Sequence, residues 1–170
     1  RNSVRNITAH LLEKGRTLPG FMGDIGYAQS NRERYEGFCQ ALMDAGKTPN
    51  PSLCLTTPLG IDSYREEIDS FLSSLSRMPD AFVCASDYVA CILMQLLEKR
   101  GLRVPEDVAV SGFDNNIEDL LAENLTTVQV FNEELGSRLA LQILYRIKYP
   151  HTPHEVTYLE SKVLYRASTG

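Results

Sequence analysis

The stretch from residue 79 to residue 115 has a strand, helix, strand pattern that constrains the fold more than any other feature of the sequence. Ala81–Ala85 is a short apolar run of the kind that forms a strand buried on both faces of a parallel sheet. Ser86 is placed to cap the next helix, and Asp87 lies in its first turn, where the helix dipole favours a negative charge. Val108–Phe113 is a second buried strand. Such a unit predicts an α/β fold.

The same alternation of strands and helices continues on both sides of this unit. Short apolar runs predict further strands at Leu18–Gly23, Ser52–Thr56 and Leu125–Val130, and a closing edge strand at Val156–Tyr165. Apolar residues three and four positions apart predict helices around residues 4–12, 34–45, 64–75 and 135–147, and a short helix at 117–121. The sequence therefore predicts a doubly wound parallel sheet flanked by helices, with right-handed crossovers.

Helix boundaries are indicated by residues that satisfy or break the backbone hydrogen bonding. Ser30 with Glu33 and Ser63 with Glu66 have the spacing of capping boxes, which predicts a helix start at each pair. Gly101 follows the last basic residues of the central helix and is expected to end it.

Length, charge and cysteine content restrict the class of protein. A chain of 170 residues forms one domain, or one domain with a fragment of another. Its net charge of −5 argues against a basic surface that binds nucleic acid, so this chain alone is not expected to bind DNA. We expect neither a signal peptide nor a membrane span. The cysteines, Cys39, Cys54, Cys84 and Cys91, lack C-x-x-C spacing, which predicts reduced core thiols in a cytoplasmic protein and no metal site.

Polar residues follow two of the predicted strands at the edge of the sheet where ligands bind in α/β proteins. Ser86 and Asp87 follow the first strand of the central unit, and Asp114 follows the second. Arg34 lies near the start of an earlier helix, on the same edge, where its guanidinium is suited to bind hydroxyls or a carboxylate of a ligand. The alternative for Arg34 is a solvated or structural ion pair.

The motifs of the common enzyme classes are missing from the sequence. It contains no G-x-S-x-G, no Walker loop and no G-x-G-x-x-G after a strand. Asp87 and Asp114 could share acid and base roles, but no histidine or metal site is expected near them. Each also has a structural interpretation, Asp87 as a first-turn charge and Asp114 as a turn residue. We therefore predict a binding protein without a cofactor, and not an enzyme.

Several motifs in order along the chain resemble those of the LacI/GalR family of bacterial transcription regulators. They are PDAFVCASD, YVACI and GLRVPEDVAVSGFD in the central unit, HLLEKG at His10–Gly15, RYEGF at Arg34–Phe38, LTTV at Leu125–Val128 and YRAST at Tyr165–Thr169. Together they cover nearly the whole chain.

The resemblance implies a domain organisation of the periplasmic-binding-protein-like type. Residues 1–15 would be the last helix of a first lobe, 16–131 most of the second lobe, 132–150 a helix that returns to the first lobe, and 151–170 the final strand of the second lobe. The DNA-binding head would lie outside this chain, so operator DNA would be contacted only through that head. In this piece, the helices around 4–12 and 135–147 are expected to expose apolar faces.

The resemblance also implies roles for individual residues. Arg34 matches the family arginine that binds effector hydroxyls or carboxylates, and Asp114 matches an acid that accepts hydrogen bonds from sugar hydroxyls. Asp87 matches the family aspartate after the strand, whereas Ser86 stands where asparagine is common. Asp24 and Tyr27 lie in the loop after the first predicted strand and are expected to bind the effector from a wall of the pocket. Tyr27 could supply a stacking face, or it could merely pack on the loop. Cys91 and Met94 are candidate contacts of a homodimer, and they could equally belong to the core.

These observations lead to two functional hypotheses. The first is the effector-binding and dimerisation part of a transcription regulator that senses a small ligand, a sugar or a derivative, by lobe closure. The alternative is an extracytoplasmic sugar-binding protein of a transporter, which shares the fold.

Overall fold

A parallel sheet of four strands organises the chain in the computed structural model, which describes residues 1–60, 62–116 and 123–170. Its strands are β1 (Pro19–Met22), β2 (Cys54–Leu55), β3 (Ala81–Cys84) and β4 (Ala109–Ser111). All pair in parallel, in the order β2, β1, β3, β4. The strand order reverses between β1 and β3, and such a reversal leaves a crevice at the carboxyl ends of the two strands.

Helices cover both faces of this sheet. They are α1 (Asn2–Glu13), α2 (Gln29–Asp44), α3 (Tyr64–Ser74) and α4 (Asp87–Lys99). A further helix, α5 (Asn132–Lys148), has no buried residue. Side chains of β3 alternate between two cores: Phe82 and Cys84 pack with α3 and α4, whereas Ala81 and Val83 pack with α1 and α2. The predicted doubly wound fold is confirmed, and the short helix predicted at 117–121 lies outside the described residues.

The central helix begins and ends as predicted, but the capping boxes do not form. Ser86 Oγ accepts a hydrogen bond from the Val89 N–H at 3.3 Å, and Gly101 has a φ of 73° just beyond the end of α4. By contrast, α2 starts at Gln29, so Ser30 lies within the helix and cannot cap it. Ser63 does precede α3, but its hydroxyl bonds to the Glu67 carboxylate instead of a backbone N–H.

Two short strands extend the sheet beyond β4. β5 (Thr127–Gln129) follows β4 through parallel bridges from Ser111 to Thr126 and from Asp114 to Gln129. β6 (Lys162–Leu164) pairs antiparallel with β5. The predicted edge strand at 156–165 is therefore reduced to three residues, because within the described chain only this part has a neighbouring strand.

The helices α1 and α5 were both expected to expose apolar faces, but they differ in the exposure of these faces. In α1, Val4, Ile7 and Leu11 are at most 1% exposed and pack against Phe21 and Phe38, so the expectation is wrong for this helix. In α5 it is confirmed, because no residue of this helix is buried. The leucine and isoleucine side chains of this helix are between 48% and 72% exposed, and they are Leu135, Leu139, Leu141, Ile143, Leu144 and Ile147. The boundaries between lobes remain predictions.

The predicted contact residues of α4 lie at different depths. Cys91 is only 6% exposed and belongs to the core between α3, α4 and the sheet. Met94 is partly buried at the edge of the same core. Within the described residues, no helix combines the length and the hydrophobicity that crossing a bilayer requires.

The contrast between α1 and α5 predicts unequal effects of the same substitution. We expect Ile7→Ala to lower the free energy of unfolding by about 2–5 kcal/mol, because it leaves a cavity in the core. Ile143→Ala, at a residue that is 51% exposed, should change it by less than about 0.5 kcal/mol. Urea denaturation of the chain and both variants measures the two effects. Equal losses would mean that the apolar face of α5 is covered in solution.

Candidate functional site

A cavity of about 290 Å³ lies at the carboxyl ends of β1 and β3, where the strand order reverses. This is the position at which open α/β sheets bind ligands. Residues of α2, α3 and α4 and of the loops after β1, β3 and β4 line it: Gly23, Asp24, Tyr27, Ala28, Ser30, Asn31, Arg34, Tyr64, Ala85, Ser86, Val89 and Asp114. Of the residues predicted to bind an effector, all but Asp87 are in this lining.

The cavity depends on a close approach of the two strand ends. The Gly23 N–H donates to the Leu55 carbonyl at 2.9 Å, and the Ala85 N–H donates to the Met22 carbonyl at 2.8 Å. A Cβ atom at position 23 would lie 2.2 Å from the Ala85 Cβ. Glycine at this position therefore allows β1 and β3 to stay paired up to the cavity.

The guanidinium of Arg34 is held in place by several groups. Its Nη1 donates to the Ala85 carbonyl at 2.6 Å and to Asn31 Oδ1 at 3.3 Å, and its Nη2 donates to Asp114 Oδ1 at 3.3 Å. The guanidinium carbon lies 3.7 Å from the centre of the Phe113 ring. Burial lowers the pKa of Arg34, and the carboxylate of Asp114 opposes this shift. Because a guanidinium has five N–H donors, others remain for a ligand.

Asp114 places its carboxylate in the cavity from an unusual backbone conformation. Asp114 and Asn115 have φ values of 105° and 49°, in a region that costs non-glycine residues about 1–3 kcal/mol each. The Asp114 N–H donates to the Val128 carbonyl at 3.1 Å, which ties the loop to β5. Burial raises the pKa of Asp114, and the nearby Arg34 opposes the rise.

Asp87 lies behind the cavity and holds the loop that carries Asp114. It is 2% exposed, and its Oδ1 accepts from Thr127 Oγ1 at 2.5 Å. Burial raises the pKa of Asp87, and the hydrogen bond from Thr127 and the nearby backbone N–H groups of Asn115 and Asn116 oppose the rise. The structure therefore gives Asp87 a supporting position, away from the lining where the sequence placed it.

Asp24 and Tyr27 form the outer wall of the cavity. Asp24 Oδ1 accepts from the N–H groups of Gly26 at 2.7 Å and Tyr27 at 3.0 Å, and the Asp24 carbonyl accepts from Asn31 Nδ2 at 2.9 Å. The carboxylate thus shapes its own loop, as aspartate does in turns. Tyr27 is 79% exposed at the rim.

Two lining residues with useful chemistry were missed in the sequence. Tyr64, the first residue of α3, packs against the core and also lines the cavity, and the centre of its ring lies 5.6 Å from that of Tyr88 in an edge-to-face arrangement. Asn31 orients Arg34 from one turn earlier on α2. The spacing of three residues on one helix was the signal that could have revealed the contact of Asn31 with Arg34.

Among the described residues, no cluster of histidine, cysteine or acidic side chains could hold a metal ion.

Comparison with known proteins shows relatives over nearly the whole chain. The family model for the periplasmic binding protein-like domain matches residues 8–169. The HTH-type transcriptional repressor PurR of Aliivibrio salmonicida is 29% identical over 163 residues, which cover 95% of this chain and 48% of the relative. This chain therefore spans about half the length of such curated relatives.

Solved structures of LacI-family regulators have the same fold. A LacI-family transcriptional regulator from Sanguibacter keddieii superposes with a TM-score of 0.84 at 28% identity, over 99% of this chain and 64% of that protein. The transcriptional regulator CelR in complex with cellobiose also gives a TM-score of 0.84, at 27% identity, over 98% of this chain and 52% of that one.

The contact between Arg34 and Asp114 predicts a change in titration. Burial raises the pKa of Asp114, so its contribution to stability is complete below the ordinary pKa and is lost as the pH rises through the raised value. Arg34→Met removes the opposing cation, so the pKa of Asp114 should rise further and the loss of stability should extend to higher pH. Carboxyl ¹³C NMR titration measures this. Arg32→Met, at an exposed position of the same helix, should leave the pKa of Asp114 unchanged; a fall after Arg34→Met would contradict the prediction.

The loop around Asp87 predicts a steric requirement at position 112. A Cβ atom there would lie 2.2 Å from Asp87 Oδ1 and 3.0 Å from Leu125 Cδ2, so we expect Gly112→Ala to cost about 1–3 kcal/mol of stability. Gly136→Ala is the matched control, because nothing lies within 4 Å of a Cβ at that position in α5. It should be neutral or stabilising by up to about 1 kcal/mol. Chemical denaturation distinguishes the two; a neutral Gly112→Ala would show that the loop yields without cost.

Proposed function

Because this chain belongs to the family of periplasmic-binding-protein-like domains, we propose that it is the effector-binding and dimerisation part of a bacterial DNA-binding transcription regulator of the LacI/GalR type. The observation that carries the proposal is the ion pair of Arg34 and Asp114 in the cavity at the strand reversal. The regulators among the relatives do not favour the alternative of a transporter binding protein. A regulator would act on operator DNA in the cytoplasm, through a head outside this chain.

The ligand that fits this wall best is a sugar or another compound rich in hydroxyls. Arg34 offers donors and Asp114 offers acceptors, and such mixed pairs suit hydroxyls, which both donate and accept. Ser86 Oγ accepts from the Val89 N–H, so its own hydrogen is available to a ligand. The ring of Tyr64 supplies an apolar surface for a sugar face. The complex of CelR with cellobiose is consistent with this ligand class.

Lobe closure would couple this site to DNA binding. The residues that line the cavity would then form one wall of a cleft between two lobes. A ligand that contacts both lobes would bind the closed arrangement more tightly than the open one and would therefore favour closure. The exposed apolar side chains of α5 would pack in the first lobe. At the homodimer contact, the partly exposed Met94 suits an intermolecular role better than the buried Cys91.

A ligand screen with paired variants tests the proposal on the full-length protein. Cellobiose, glucose 6-phosphate and adenine represent neutral sugars, sugar phosphates and nucleobases, and a ligand that binds only the folded state raises the melting temperature. Arg34→Met and Asp114→Asn should each weaken binding about 10- to 100-fold, since each removes hydrogen bonds to a charged group. Arg32→Met should bind as the parent does. A ligand that binds both site variants with the parent's affinity would place its site elsewhere.

A further inference from the structure

The end of the chain contacts the loop that carries Asp114. Arg166, which lies 51 residues after Asn115, donates from Nη2 to Asn115 Oδ1 at 2.9 Å. Its Nη1 donates to the Leu125 carbonyl at 3.0 Å. One guanidinium thus joins the loop after β4 to the segment that leads into β5. Arg166 is not in the lining of the cavity, so it does not contact a ligand there.

The backbone around Arg166 is anchored by buried hydroxyl groups. The Arg166 N–H donates to Thr126 Oγ1 at 2.8 Å. The Thr126 N–H donates to Ser168 Oγ at 2.8 Å, and Ser168 Oγ donates to the Val110 carbonyl at 2.6 Å. Ser168 and Thr169 are at most 2% exposed. The side chain of Arg166 therefore extends from a fixed base, which limits the entropy that its hydrogen bonds cost.

The backbone of the loop after β4 is strained and must be stabilised by its surroundings. Asp114 and Asn115 both have positive φ values, and a strained backbone persists only where its surroundings determine it. On one side of the loop, the N–H groups of Asn115 and Asn116 lie near the Asp87 carboxylate and lower its pKa. On the other side of the loop, the side-chain amide of Asn115 lies between Arg166 and Gln129. Its Oδ1 accepts from Arg166, and its Nδ2 donates to Gln129 Oε1 at 2.5 Å.

We propose that Arg166 is a positioning residue of the binding site, which fixes Asn115 and thereby holds the Asp114 carboxylate against Arg34. The role of Asp114 in binding rests on the proposed function, whereas the effect of Arg166 on the loop does not. A planar guanidinium with fixed donors can bond Asn115 and Leu125 at once, which the single ammonium of a lysine cannot do with the same geometry. Arg166→Lys should therefore hold the loop less firmly than the parent and more firmly than Arg166→Met.

Native-state hydrogen exchange by NMR on the full chain without ligand tests this. In Arg166→Met, the amides of Asn115 and Asn116 should exchange about 10-fold faster or more, because local opening releases them from Asp87. The amide of Val83, in the centre of the sheet, should keep its rate within about 2-fold and reports global unfolding. Arg138→Met is the matched control, since Arg138 forms an exposed ion pair with Glu134 on α5. It should change none of these rates.

A second variant and a second signal separate positioning from general stability. Asn115→Gly keeps a residue that accepts a φ of 49° but lacks the amide that Arg166 contacts. The double variant with Arg166→Met should open the loop by less than the two single effects combined, because both single variants remove the contact between Arg166 and Asn115. The guanidinium carbon of Arg34 lies 3.7 Å from the centre of the Phe113 ring, so we expect the ring to shift the Arg34 Nε–H resonance. This resonance should move toward its value in an unfolded chain in Arg166→Met and should not move in Arg138→Met.

The outcomes are distinct. Wild-type exchange at Asn115 and Asn116 in Arg166→Met, or acceleration equal to that at Val83, would overturn the positioning role. Faster local exchange with an unmoved Arg34 resonance would also overturn it, because the ion pair would then not depend on the loop. If no ligand binds but the local exchange and the Arg34 signal change as expected, the proposed function fails and the positioning role stands.

Discussion

The parallel pairing of β1 with β3 is the constraint from which the site follows. Phe21 lies beside Val83 and Met22 beside Cys84, so the two strands end at the same level. The chain after β1 then enters α2, and the chain after β3 enters α4, from one edge of the sheet. Arg34 on α2 reaches the Ala85 carbonyl because of this shared edge. A shift of one residue would turn every side chain of a strand to the opposite face and would separate these groups.

A second layer of polar groups lies beneath the cavity. Asp87 starts α4 at the buried end of β3, where an isolated carboxylate would be costly. Its cost is reduced by Thr127 and by backbone N–H groups of the loop after β4, so the loop must wrap closely around it. This wrapping accounts for glycine at position 112 and for the left-handed conformation of Asp114. The partly buried carboxylate of Asp114 thus depends on the fully buried carboxylate of Asp87.

The sequence predicted the parts of this arrangement that depend on residues close together in the chain. Apolar runs and turn residues located the strands and α4, and the rule for the carboxyl ends of strands brought Arg34, Ser86 and Asp114 to one cavity. The sequence could not show that Ser86 lines the cavity whereas Asp87 supports the loop behind it. The two residues are adjacent in the chain, and the sequence does not reveal the direction in which each side chain points. Contacts across long separations, such as that of Arg166 with Asn115, leave no local pattern to detect.

Periodicity has the same limit for the helices. The apolar stripes of α1 and α5 are alike in sequence, since each repeats at spacings of three and four. Such a stripe indicates that a face will be covered but does not identify the surface that covers it. In α1 that surface is α2 and the sheet, and Ile7 is fully buried. In α5 the described chain supplies no equivalent surface, so Ile143 stays half exposed.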